Sequence, residues 1–198
     1  MPCLSRLRSL APGIRVSVQP VPEVELGAWF DNGDLDLALT TPQMAPGSLR
    51  SRHLFDEHYV VAMRADHPVA GALPDLDTFC ALDHALVSLG GDDFSGVTDT
   101  ALAAIGRSRR VQASLGSFQA LADLLRTTDL VTVAPSRLFR HAPGIVAYPP
   151  PIDVPGFSKI AVWHERSHRD PTQGWLRALL FQQAAGDAPP SSPLADNA

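Results

Sequence analysis

Apolar residues along this chain recur with two periods that interchange repeatedly. Leu4, Leu7 and Leu10 fall on one helical face, and Ala11-Pro12-Gly13 ends that turn, because proline cannot continue a helix and glycine permits the reversal. Ile14, Val16 and Val18 then alternate with Arg15, Ser17 and Gln19 up to Pro20 and Pro22, which predicts a strand. Residues 23–30 read as a short helix with Val24, Leu26, Trp29 and Phe30 as its apolar positions and Asn32-Gly33 as its terminator, and residues 35–41 as a short strand. Helix, strand, helix, strand is the alternation that builds a parallel sheet with helices packed on it.

The middle of the chain repeats the pattern. Residues 49–64 are extended and rich in Tyr, Val and Phe, one or two strands ending at Asp66-His67-Pro68. Helical spacing over 73–82 is followed by an apolar run, Ala85 to Leu89, which Gly90-Gly91-Asp92-Asp93 breaks. A second helix over 97–105, a strand over 111–115, a helix opened by Ser117 and a buried-looking strand over 130–134 stopped by Pro135 complete this third of the chain. Pro149, Pro150, Pro151 and Pro155 make 148–155 a stiff connector. Residues 158–164 are again strand-like, and Asp170-Pro171 starts a helix with an N-cap acid and proline at the first helical position, with Gln173 placed to complete a capping-box-like pair. Trp175, Leu176, Leu179 and Leu180 form its predicted apolar face, and 187–198 reads as a disordered tail.

Composition narrows the function classes. Of 198 residues 45% are apolar and 19% charged, enough for one sizeable domain or two small lobes. The net charge of −5 and the absence of a basic block argue against nucleic-acid binding by this chain unaided. No apolar run is long enough to span a membrane, and the first residues lack the apolar core of a secretion signal, so a cytoplasmic location is expected. Cys3 and Cys80 have neither disulfide-scaffold nor metal-type spacing, and Cys80 among Phe79, Ala81 and Leu82 reads as a structural thiol. His164-Glu165-Arg166-Ser167-His168 is a literal HExxH, but zinc chemistry needs that pattern on a helix, whereas here it follows a strand-like run and precedes a helix start. GxSxG, GxGxxG and GxxxxGK[ST] are missing, the only lysine being Lys159, and no catalytic residue, metal or cofactor is expected.

Several segments in order resemble the effector-binding region of LysR-type transcriptional regulators. They are Ala11-Pro12-Gly13-Ile14-Arg15-Val16; Gly33-Asp34-Leu35-Asp36-Leu37-Ala38-Leu39; Leu54-Phe55-Asp56-Glu57 before Tyr59-Val60-Val61; Arg64-Ala65-Asp66-His67-Pro68; Ser117-Phe118; and Val162-Trp163-His164 before Asp170-Pro171 and Trp175-Leu176-Arg177. The details are similar to the branch that senses aromatic acids and flavonoid-like signals. The resemblance implies an α/β fold of the type 2 periplasmic-binding-protein kind, two α/β lobes joined by two crossover strands, with a ligand between them. Lobe one would comprise 1–63 and 158–186 and lobe two 64–157. The resemblance further implies that the chain starts inside the first helix of lobe one, and that the winged helix-turn-helix, the linker helix and the first strand are absent from it. DNA would then be reached only through that absent head, in a homodimer.

Ligands of open α/β sheets collect at the carboxyl ends of strands and at helix N-termini. Thr40 and Thr41 match a family position whose hydroxyl meets effector, or form a plain strand-to-loop polar pair. Ser117 can cap its helix and offer a hydroxyl, while Phe118 packs either on an aromatic ligand or in the core. Ser88, Gly90, Ala134 and Pro135 are further candidates, and Trp163 either lines the hinge or is core. The expected function is that of the sensory domain of a LysR-type regulator, responding to a small organic effector such as an aromatic acid without catalysing a reaction. A free-standing solute-binding protein of the same fold is the alternative; a zinc hydrolase using His164 and His168 and a degraded reading frame rank below it. On charge grounds the isolated chain is expected to give no salt-sensitive, sequence-specific shift of operator DNA at nanomolar concentration in a gel-mobility assay.

Overall fold

The computed structural model describes residues 2–71, 75–89 and 93–186. Internal contacts divide the chain into two compact units, Met1–Asp56 with Ser158–Ala198, and Glu57–Phe157. The first unit opens with α1 (Pro2–Leu10), which lies against the long C-terminal helix α6 (Pro171–Gly186). α2 (Leu26–Asn32) follows a single 3-10 turn and ends at Gly33, whose φ of 86° supplies the left-handed cap that lets its N–H reach the carbonyl of Phe30. β1 (Ala38–Thr40), β2 (Arg50–Glu57) and β8 (Phe157–Trp163) form a three-stranded sheet in the order β1-β8-β2. Leu26 and Phe30 of α2 pack on Ile160 and Val162 of β8, so helix and sheet share one core.

Three expectations change in this unit. β1 runs antiparallel to β8, with Thr40 opposite Ile160, because the strand beside it enters from the far end of the chain rather than from the next βα repeat. The alternating segment 14–18 adopts no regular structure, and Ile14, Val16 and Val18 are 40%, 47% and 67% exposed. Period-two patterning specifies a strand only if a neighbouring edge accepts its hydrogen bonds, and the segment has no such neighbour among the described residues. In α6, Asp170 caps as expected by accepting from the Gln173 N–H at 2.8 Å, but the Gln173 side chain donates to Asp36 instead of closing a capping box. Trp175 is 39% exposed, whereas Arg177 on another face of the helix is buried over the Trp163 ring and donates to the carbonyls of Ser167 and His168.

The second unit is built on a five-stranded sheet in the order β5-β4-β6-β3-β7. Its strands are β3 (Tyr59–Arg64), β4 (Asp83–Val87), β5 (Arg110–Leu115), β6 (Val131–Pro135) and β7 (Ile145–Tyr148). β4 is parallel to β5 and β6, whereas β3 is antiparallel to β6 and β7. Successive residues of β3 serve opposite faces: Val60 and Ala62 meet Leu121 and Leu125 of α5 (Phe118–Thr127), while Val61 and Met63 meet Phe79 of α3 (Leu76–Ala81) and Leu102 of α4 (Val97–Ala104). A strand buried on both sides has to be apolar at every position, which is why Val60-Val61-Ala62-Met63 reads as an unbroken run. β7 forms over a segment the hydrophobic pattern did not single out. β3 itself belongs with this sheet, so the division falls before Glu57 and not at residue 63. Arg64, where lobe two is expected to begin, pairs with Asp66 and Asp129 inside the unit. Gly90 and the expected tail 187–198 lie outside the described residues.

The contrast between buried and exposed apolar groups in the first unit is directly measurable. Phe30→Ala is expected to cost about 3–5 kcal/mol in chemical denaturation, whereas Val16→Ser and Val18→Ser should each stay within about 0.5 kcal/mol of the parent.

Candidate functional site

Parallel pairing brings the carboxyl ends of β4, β5 and β6 to one edge of the second sheet. Ser88 follows β4 directly, is buried, and its N–H donates to the carbonyl of Leu115 at the end of β5. Two residues beyond Leu115, Ser117 opens α5 with an extended backbone, and its hydroxyl accepts from the Gln119 N–H at 3.2 Å. Phe118 is half-buried against the core cluster that contains Leu121 and Ala134. Ala134 and Pro135 end β6, with Pro135 opposite Tyr59. Five candidates separated by as many as 47 positions in sequence are thereby gathered along one sheet edge, at the start of a ten-residue helix. The positive end of the helix dipole makes such an edge receptive to an anion, and the Phe118 ring adds an apolar face.

The remaining candidates lie in the first unit. Thr40 is buried at the end of β1, and Thr41 precedes a short 3-10 turn, its carbonyl accepting from the Met44 N–H at 3.1 Å. Trp163 is buried, with His168 stacked on it, Phe181 tilted against it and the Arg177 guanidinium over its ring, so its faces are occupied by core neighbours. A separate depression of about 400 Å³ lies where β3 begins and β7 ends, lined in part by His58, Tyr59, Pro149 and Asp153; none of the sequence-selected residues lines it.

The side chains of the HExxH segment are dispersed over separate contacts. Glu165 to Ser167 is one 3-10 turn, with the His164 Nδ1 capping it by accepting from the Arg166 N–H. Glu165 pairs with Arg50, Arg166 caps the C-terminal carbonyls of α2 at Phe30 and Asp31, and His168 accepts from the Trp163 indole N–H. Each side chain has a separate structural task, and among the described residues no three His, Cys, Asp or Glu gather to hold a metal ion.

At the opposite end of these strands, near the start of β4, stands a polar group that the sequence did not announce. The buried His84 ring on β4 donates from Nε2 to the carbonyl of Phe79 and presents Nδ1 toward Arg109. Arg109, only 2% exposed at its side chain, makes two bonds to Asp99 in the first turn of α4. Asp99 in turn accepts from the Gly96 N–H. Burial works against ionisation of Asp99, but the Arg109 bonds and charge outweigh it and hold its carboxyl below the usual range. The members are 10 to 25 positions apart and follow no motif, so only the fold assembles them. Glu57, whose side chain is 3% exposed, likewise stands out in the sequence only as part of the segment carrying the family resemblance.

Two α/β units, the second inserted between the two chain segments of the first, with polar residues gathered at a parallel-strand edge, make this a periplasmic-binding-protein-like α/β protein of type 2. The chain belongs to the LysR substrate binding domain family, which matches residues 1–185. It is 31% identical over 175 residues to the HTH-type transcriptional activator NahR of Pseudomonas putida, covering 86% of this chain and 58% of that protein. It is 28% identical over 185 residues to the HTH-type transcriptional regulator SyrM of Rhizobium meliloti, covering 92% and 56%. The chain thus spans little more than half the length of these curated relatives. Among solved structures, the regulatory domain of MexT, a transcriptional activator in Pseudomonas aeruginosa, superposes with a TM-score of 0.75 at 29% identity, over 91% of this chain and 88% of that one. Among the described residues no helix is long and apolar enough to cross a membrane.

Burial, opposed only in part by the bond to Phe79, lowers the His84 pKa from 6.5 to about 4. A group whose folded pKa is depressed favours the fold in its neutral form, so its contribution is complete above pH 6.5 and is lost as pH falls toward 4. Over that window the second unit is expected to lose about 3 kcal/mol of stability. Urea titrations at a series of pH values check this, and His84→Gln should remove that component of the pH dependence.

Proposed function

We propose that this chain is the small-molecule-sensing part of a LysR-type transcriptional regulator. It catalyses no reaction. A small organic effector binds, and ligand-dependent lobe movement is passed, in a cytoplasmic homodimer, to DNA-binding segments of the kind that the names of its HTH-type relatives denote. The observation that supports this most is the convergence of Ser88, Ser117, Phe118, Ala134 and Pro135 at the carboxyl edge of β4, β5 and β6. That edge offers serine hydroxyls, a helix N-terminus and an aromatic face, a combination suited to an aromatic carboxylate. Thr40 and Thr41, in the first unit, are retained as effector-binding candidates for their hydroxyls. Trp163 is the weakest candidate, because its ring is already covered.

A thermal-shift screen of benzoate and its hydroxylated and chlorinated derivatives against the purified chain tests the proposal. At least one compound is expected to raise the melting temperature in a concentration-dependent way. Ser117→Ala and Phe118→Ala should each weaken its binding about tenfold, the effect of losing one hydrogen bond or one stacked ring. A screen without any stabilising aromatic acid would sink the effector class. Unchanged affinity in both variants would remove the sheet edge as the site.

A further inference from the structure

Glu57 is the residue at which the chain enters the second unit, and its carboxylate is buried. One oxygen, Oε1, accepts from the N–H of His58 at 3.0 Å and from the hydroxyl and N–H of Ser136 at 2.6 and 3.2 Å. The other, Oε2, accepts from the N–H of Arg137 at 3.4 Å and lies 3.8 Å from the Arg137 guanidinium. Ser136 and Arg137 come directly after Ala134 and Pro135, the end of β6 in the candidate site. The Ser136 N–H also donates to the carbonyl of His58, so the two segments are tied through backbone as well as side chain.

The chain leaves this unit at Phe157, and that passage meets the same residue. A Cβ placed on Gly156 would fall on the Glu57 carbonyl oxygen, so only glycine allows the two backbones to lie this close. The Phe157 ring meanwhile packs against Tyr59, two residues beyond Glu57, at 5.7 Å. Both passages between the units and the segment following β6 are therefore fixed at one carboxylate and its peptide.

We infer that Glu57 is the positioning residue of the hinge: it locks the two connecting strands to the end of β6, so that a shift of Ala134 and Pro135 is transmitted to the strands that carry the other unit. A carboxylate suits this role because it accepts at both oxygens at once, whereas an amide would turn an N–H donor against donors. The transmission of effector binding rests on the function proposed above; the locking of the strands does not.

The test is made on the chain without effector, so that a failed effector search leaves its result readable. Spin labels on Arg8→Cys in α1 and Ala120→Cys in α5, with Cys3 and Cys80 replaced by serine, report the distribution of distances between the units. Hydrogen exchange reports the Ser136 and Arg137 amides. Glu57→Gln is expected to speed exchange at those amides about tenfold and to broaden the distance distribution, while the amides of α3 and α4 keep their protection. Gly156→Ala, which displaces the second strand from the same point, should broaden it as well. If Glu57→Gln does not fold, Ser136→Ala, which removes one donor, serves in its place. Faster exchange with an unaltered distance distribution would reduce Glu57 to a local brace and overturn the inference, as would unchanged exchange.

Discussion

Burial of both faces of the five-stranded sheet is the constraint from which most of the second unit follows. With α5 on one side and α3 and α4 on the other, the central strands have no solvent-facing positions, and any polar group within them has to find its partner inside. Thr132 does so by donating to the Ala85 carbonyl across the β4–β6 pair. His84 does so through Phe79 and Arg109. The only places on these strands where polar side chains can serve a ligand are the ends, which explains why the candidates gather at the carboxyl edge of β4, β5 and β6 rather than along a face.

The same constraint governed what the sequence could disclose. Runs such as Val60-Val61-Ala62-Met63 and Val131-Thr132-Val133-Ala134, apolar but for Thr132, announce two-sided burial, and Ser117 before a helical stripe announces a helix start, so most elements of the second unit and the sheet-edge candidates were legible. Ile14 to Val18 has an equally clear strand pattern and is not a strand, since alternation records the side-chain faces and not whether a hydrogen-bonding neighbour is at hand. Trp175 and Arg177 show the complementary difficulty. Periodicity assigns the indole to the inside and passes over Arg177, whose guanidinium stacks on Trp163 and donates to two carbonyls, contacts that hydropathy does not register.

Long-range polar groups were the least legible. The His84–Arg109–Asp99 set and the bonds around Glu57 join residues from separate elements, up to 80 positions apart in the case of Glu57 and Arg137. Their meaning resides in the closure of the sheet, because each side chain on its own is an ordinary strand, loop or helix-start residue. The HExxH segment is the inverse case: a local motif of high chemical promise whose residues the fold assigns to capping α2, pairing with Arg50 and stacking on Trp163.

The unpaired segment Ile14 to Val18 also bears on how the protein behaves in concentrated solution. An exposed, alternating apolar run that is built into no sheet is a template for association between copies, edge against edge. Arg15 places a charge within it and Pro20 and Pro22 deny hydrogen-bond donors just beyond it, so the segment carries its own gatekeepers. Colloidal stability of this chain therefore depends on a handful of residues remote from the sheet edge proposed to bind effector, and replacing Arg15 or Pro20 for convenience of handling would remove the local safeguard against self-association.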